Sequence, residues 1–222
     1  MRLYLLIALF VLIIAPPVPA GPWLREDGAV FSSTSVGMTR NRDINSSTYL
    51  EYGLTGQTTL GFDLNLSASL HSGDEGRAVL FFRRALGPTD RQSKFAYELG
   101  MGAAWGSYGT HPRIKAGLTW GRGIAMGDKS GWVTLDGSVI LDLKTRARKA
   151  KVDGTIGLNL SDAITGIFEI NLGHSDGNSF ATVAPSLVLK PKFTKFQIQL
   201  GVQSPIGNSR PNQIKIGLWR EF

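Results

Sequence analysis

Cysteine is absent from all 222 residues. That closes off a disulfide framework, and with it the small bridge-stapled secreted domains. Histidine occurs only three times. Neither the Cys/His spacing of a zinc site nor an Asp-rich calcium loop is present, so no metal and no cofactor is expected. Charged residues make up 18% of the chain, against about 25% in an ordinary soluble domain. Long apolar runs are scarce too. Beyond residue 20 none reaches the roughly 20 residues of a membrane helix, which excludes a helical membrane protein.

The one apolar run lies at the start. Arg2 supplies a positive residue, and Leu3 to Ala15 is almost wholly apolar. Pro16, Pro17 and Pro19 follow, and Val18-Pro19-Ala20 puts small residues where a signal peptidase cuts. This is the pattern of a secretory signal peptide over 1–20, cleaved after Ala20. No cysteine stands at the cut, so a lipoprotein is excluded. The formal charge of +7 suits an anionic lipid surface. An exported chain of this kind is not expected to bind nucleic acid.

Period-two alternation dominates what remains. Leu60, Phe62, Leu64, Leu66, Ala68 and Leu70 share one face against Gly61, Asp63, Asn65, Ser67, Ser69 and His71. The same alternation runs through 95–105, 114–121, 133–144 and 152–160. Strands, not helices, make this pattern. A soluble barrel or sandwich alternates as well, but its strands average about 5–6 residues. A tilted membrane-crossing strand needs about 9–11, which these segments supply. The polar face carries Gly, Ala, Ser, Thr and isolated charges, a composition suited to a crowded interior rather than to open water.

The reading is an all-β fold, a closed antiparallel transmembrane β-barrel of about twelve strands, with ten as the alternative. The expected strands are 29–39, 47–55, 58–71, 77–86, 94–105, 112–122, 131–144, 151–160, 164–173, 179–190, 194–203 and 212–222. In the fourth, Ala78-Leu80-Phe82 and Val79-Phe81 compete for the outer face. An even count puts both termini in the periplasm, so residues 21–28 form a periplasmic N-terminal extension and 29–222 the barrel. Turns at 87–93 and 123–130 fall on the periplasmic side and are as long as the outer loops. Tyr49, Trp105, Tyr108, Trp120, Trp132, Phe180, Phe193, Trp219 and Phe222 fall near strand ends, as membrane aromatic belts do.

The final segment alternates to the end, with Ile214, Ile216, Leu218 and Phe222 on one face. It resembles the C-terminal signature of bacterial outer-membrane proteins, which implies recognition by the barrel-assembly machinery. It departs at Arg220, where that family has an apolar or aromatic residue. The opening Gly21-Pro22-Trp23-Leu24-Arg25-Glu26-Asp27-Gly28 resembles the start of a group of uncharacterised proteobacterial barrels, a resemblance that carries no activity.

Candidate chemistry is sparse. His71-Ser72 with Asp74 and His174-Ser175 with Asp176 resemble pieces of a hydrolase triad. Adjacent strand residues face opposite ways, however, and outer-membrane lipid hydrolases use a His-x-Ser spacing that neither site has. No catalytic residue is assigned. Gly121–Gly127 is glycine-rich but lacks the lysine and the helix of a phosphate loop. Lys144, Arg146, Arg148, Lys149 and Lys151 crowd one outward connection, where Arg146, Arg148 and Lys149 are candidates for lipopolysaccharide phosphates. Lumen-lining candidates are Asp63, Glu98, Lys115, Asp136, Asp142, Asp153, Glu169 and Lys215, with Lys144 beside them. Charges of both signs should pair in the bore and leave a narrow passage without strong ion selectivity. The expected function is a passive pore for small polar solutes; the alternatives are a non-transporting envelope platform and a lipid-modifying outer-membrane enzyme.

Overall fold

A computed structural model describes residues 21–69, 73–107, 109–207 and 211–222. The signal-peptide expectation for 1–20, and His71, Ser72 and Tyr108, lie outside the described residues.

Twelve strands follow one another: β1 (Val30–Thr39), β2 (Ile44–Thr55), β3 (Thr58–Ser69), β4 (Gly73–Ala85), β5 (Ser93–Gly106), β6 (Gly109–Met126), β7 (Lys129–Asp142), β8 (Arg148–Ser161), β9 (Ile164–Ser175), β10 (Asn178–Leu189), β11 (Phe196–Ile206) and β12 (Gln213–Glu221). Each pairs antiparallel with its neighbours, and β1 closes on β12 through Phe31↔Glu221 to Thr39↔Gln213. Closure leaves no unpaired edge, the condition a sheet must meet in a medium that offers no hydrogen bonds. We call the end where β1 starts and β12 stops the near mouth, and the other the far mouth.

The outer face is apolar and bare. Met101 is 68% exposed, Ile214 67% and Leu118 63%. A surface of this kind is stable only against lipid. Parity settles β4: Leu80 and Phe82 face outward, while Val79 and Phe81 are buried inside. Arg220 is on the outer face, its guanidinium 4.0 Å from the Phe222 ring centroid and 4.9 Å from that of Phe196.

The 123–130 turn is shorter than expected. β6 runs to Met126 and β7 starts at Lys129, so only Gly127 and Asp128 remain between them. Gly127 takes a positive φ of 64°, which supplies the tight reversal at no steric cost. At the far mouth Asp176 and Gly177 both have positive φ, 49° and 81°, the signature of a two-residue type I′ hairpin.

Candidate functional site

The bore of the barrel is unevenly filled. Inward parity places Phe31 on β1, Tyr49 and Glu51 on β2, Phe81 and Arg83 on β4, Glu98 on β5 and Trp219 on β12, all toward the near mouth. The rings interlock: Phe31 meets Tyr49 at 6.5 Å and Trp219 at 6.1 Å between centroids, and Tyr49 stacks on Phe81 at 5.8 Å. Phe81 lies over Gly61 of β3, where an added Cβ would sit 2.0 Å from the ring. A glycine there lets the ring lie against the wall instead of across the bore.

Charges thread between the rings. Arg83 reaches Glu51 at 2.6 Å and Glu98 at 2.8 Å, and Lys115 of β6 reaches Glu98 at 2.6 Å. Tyr49 donates its hydroxyl hydrogen bond to Glu51 at 2.6 Å. Glu51 is 1% exposed and Arg83 6%. Charges this deep persist only when compensated, and these pair along the wall between nearby strands rather than across the lumen.

Residues 21–28 enter this cluster. The Gly28 amide donates to the Gly53 carbonyl, and the Gly53 amide to that of Ala29, at the β2 rim. Arg25 ion-pairs with Glu51 at 2.6 Å and with Glu221 at 3.6 Å, and its amide donates to Thr59 Oγ1 at 3.0 Å. Pro22 and Trp23 lie against Gly121 of β6. The Gly21 carbonyl accepts a 3.0 Å bond from Arg83. Thr134 of β7 and Thr119 of β6 flank the Gly21 Cα at 3.0 Å and 3.6 Å from where a Cβ would stand. In a ring of twelve, β6 and β7 oppose β1. Eight residues reach about 26–29 Å at full extension, so the segment spans the bore as a strap. The expected extension thus begins inside the barrel and narrows the bore from within.

A space of about 430 Å³ remains beside the strap, lined by Asp136, Asp153, Glu169, Gln197 and Glu221 among others. It continues into cavities of about 620 Å³ and 780 Å³ toward the far mouth, and Arg77 and Lys149 line all three. Lys190, just beyond β10, stands in the same passage; burial lowers its pKa and the Glu221 carboxylate opposes that shift.

All eight lumen candidates stand on this wall. Asp63, Glu98, Lys115, Asp136, Asp153 and Glu169 line the space beside the strap, Lys215 and Glu169 the next, and Asp142 the far vestibule. Asp142 is held by His111 at 3.2 Å and Arg113 at 3.4 Å, and accepts backbone bonds from Lys144 and Thr145. Lys144 itself belongs to the turn after β7 and is exposed, not luminal.

Three corrections follow from parity. Lys149 does not join Arg146 and Arg148 on the rim. β8 begins at Arg148, so Lys149 and Lys151 share the inward face with Asp153, and Lys149 lies 5.2 Å from the Phe180 ring centroid. Tyr49, Trp132, Phe180 and Trp219 do not belong to a lipid belt; they line the bore. Arg77, Arg83, Arg113 and Lys151, absent from the lumen candidates, also face inward. Alternation from Lys115 back to Arg113, and from Asp153 back to Lys151, carried that signal. β4 gave none, because both of its faces are apolar at the centre.

These features define a transmembrane β-barrel of the outer-membrane type, with a polar bore narrowed by its own N-terminal strap. The comparisons with solved structures agree on the fold. The KdgM porin has a TM-score of 0.61 at 13% identity, with 86% of this chain and 99% of that one covered. The COG4313 outer membrane channel from Pseudomonas putida F1 gives 0.60 at 14%, covering 92% and 99%. LpxR from Salmonella typhimurium gives 0.58 at 7%, covering 86% and 99%. No protein-family model and no curated protein matches the sequence.

Proposed function

We propose that the chain is a narrow passive pore of the outer membrane for small polar solutes, with a preference for anions. The observation that carries this reading is the line of connected cavities through the bore, with Arg77 and Lys149 on all three and no acidic partner bonded to either among the described residues. Uncompensated cations in a confined, low-dielectric passage attract anions more than the same charges would in water. This sharpens the unselective passage expected from mixed charges, because the acids are bound up unequally. Glu51 and Glu98 are each held by two cationic side chains and Asp142 by Arg113 and the His111 ring, whereas Arg77 and Lys149 of the far half are bonded to no carboxylate among the described residues. The likeness to the KdgM porin, also solved in complex with disordered oligogalacturonate, supports a polyanionic solute as a reasonable probe.

The near mouth is read as periplasmic, the leader as removed after Ala20, and the strand from Ile214 through Ile216 and Leu218 to Phe222 as the signal for the assembly machinery. Arg146 and Arg148, exposed at the far rim, are read as contacts for lipopolysaccharide phosphates. An enzymatic role finds less support: His174 bonds Ser179 at 2.9 Å, and no carboxylate is bonded to that ring among the described residues.

Planar-bilayer recording tests the pore. Conductance well below that of a wide general porin is expected, with a zero-current potential in a salt gradient that favours the anion. The pair Arg77→Ala and Lys149→Ala should abolish that preference. Silence in bilayers with no solute flux in liposomes would turn the reading to the envelope platform. An unchanged preference in the double variant would remove the anion assignment.

A further inference from the structure

Gly21 is the deepest point of the strap, and it faces an uneven stretch of wall. Asp136 and Asp153 are direct partners across β7 and β8. Like charges so placed repel. Asp153 has a cation, Lys151 at 2.7 Å. Asp136 has none within ion-pair distance among the described residues. Its neighbours are Thr134, two residues earlier on the same face, and Thr119, its partner on β6. These are the two side chains that flank Gly21. The strap therefore brings Gly21 to the one carboxylate of this pair that lacks a cation, and the buried Arg83 fixes it there through the carbonyl.

We propose that removal of the leader converts the Gly21 nitrogen into an ammonium that pairs with Asp136, so that the mature amino terminus is a charged group of the pore lining. This rests on cleavage after Ala20 and, for its effect on solutes, on the pore reading. Processing then does two things at once: it frees the exported chain from its leader and installs a cation in the lining beside Asp136. The glycine matters sterically, because a side chain at position 21 would press on Thr134 Cγ2 at 3.0 Å.

The test uses the barrel purified from outer membranes. Intact mass should correspond to a chain starting at Gly21; a different start overturns the proposal. Acetylation at neutral pH with an N-hydroxysuccinimide ester favours an α-amine, whose ordinary pKa is about 7.7–8.0, over lysines near 10.4. In the folded barrel the Gly21 amine should react at least about tenfold more slowly than in the unfolded chain, since each pKa unit gained removes a tenfold share of free amine. Asp136→Asn should restore most of that rate while the barrel keeps its heat-modifiable mobility. An extra alanine before Gly21 displaces the amine without touching the wall, and should do the same. Equal rates in folded and unfolded wild type, or protection unchanged in both variants, would overturn the pairing. Acetylated wild-type channels should also lose part of their anion preference. If channels conduct and that preference stays, the amine is no part of the lining. If they never conduct, the pore reading fails while the acetylation rates still decide the pairing.

Discussion

Replacing Glu51 with Gln removes one charge and almost no volume, yet it unties the strap. The Glu51 carboxylate takes bonds from Arg25, Arg83 and Tyr49, each at 2.6 Å. Arg83 would keep Glu98. Of its carboxylate partners among the described residues, Arg25 would keep Glu221, 3.6 Å away and 36% exposed at its side chain, beside the Phe31 ring at 4.4 Å. Breaking a buried ion pair from one side costs about 3–5 kcal/mol. At about 1.4 kcal/mol per tenfold, that shifts the strap equilibrium outward by roughly two to three and a half powers of ten. Arg25 provides the assay, because trypsin cleaves after arginine and this one is 4% exposed. When opening is fast, cleavage follows the open population. Cleavage after Arg25 in membrane-embedded Glu51→Gln should therefore run at least about a hundredfold faster than in wild type, and single-channel conductance should rise. Unchanged protection would show that Glu51 does not hold the strap; faster cleavage with unchanged conductance would show that the strap does not narrow the bore.

Gly53→Ala should also loosen the strap, because its Cβ would run into the Glu26 carbonyl oxygen, a backbone atom that cannot swing aside; Gly56→Ala, in open space, is the control, and tryptic cleavage after Arg25 reads both. Leu118→Arg on the lipid face of β6 should cost about 2–4 kcal/mol if that residue lies near the bilayer midplane, measured by urea titration of the barrel refolded into vesicles. Deleting Phe222, 62% exposed beside Arg220, should slow insertion in cells far more than it weakens the assembled barrel, read as the heat-modifiable fraction over time.

The architecture was legible because a membrane barrel writes itself into sequence twice. Most strands alternate, and the alternation sorts lipid-facing from luminal residues without any knowledge of neighbours. The eight luminal candidates are charged residues in strands with a clean phase, so parity alone set their direction. Where phase was blurred, direction was lost. Arg83 sits in a strand that reads Val79-Leu80-Phe81-Phe82, apolar on both faces, and Lys149 sits at a strand start that sequence assigned to a loop. Pairing fixed both, since the register of β4 on β3 and of β8 on β7 leaves one parity for each.

The strap was a different matter. Gly21 to Gly28 has no periodicity, and nothing local says that Arg25 will find Glu51, 26 residues on. Only closure of the barrel creates a buried carboxylate on β2, a buried arginine on β4 and a space between them that a short extended segment fits. Sequence determined the sheet, because alternation is a local property of each strand. The tertiary structure decided how wide the bore is, because width depends on what enters it from outside the sheet.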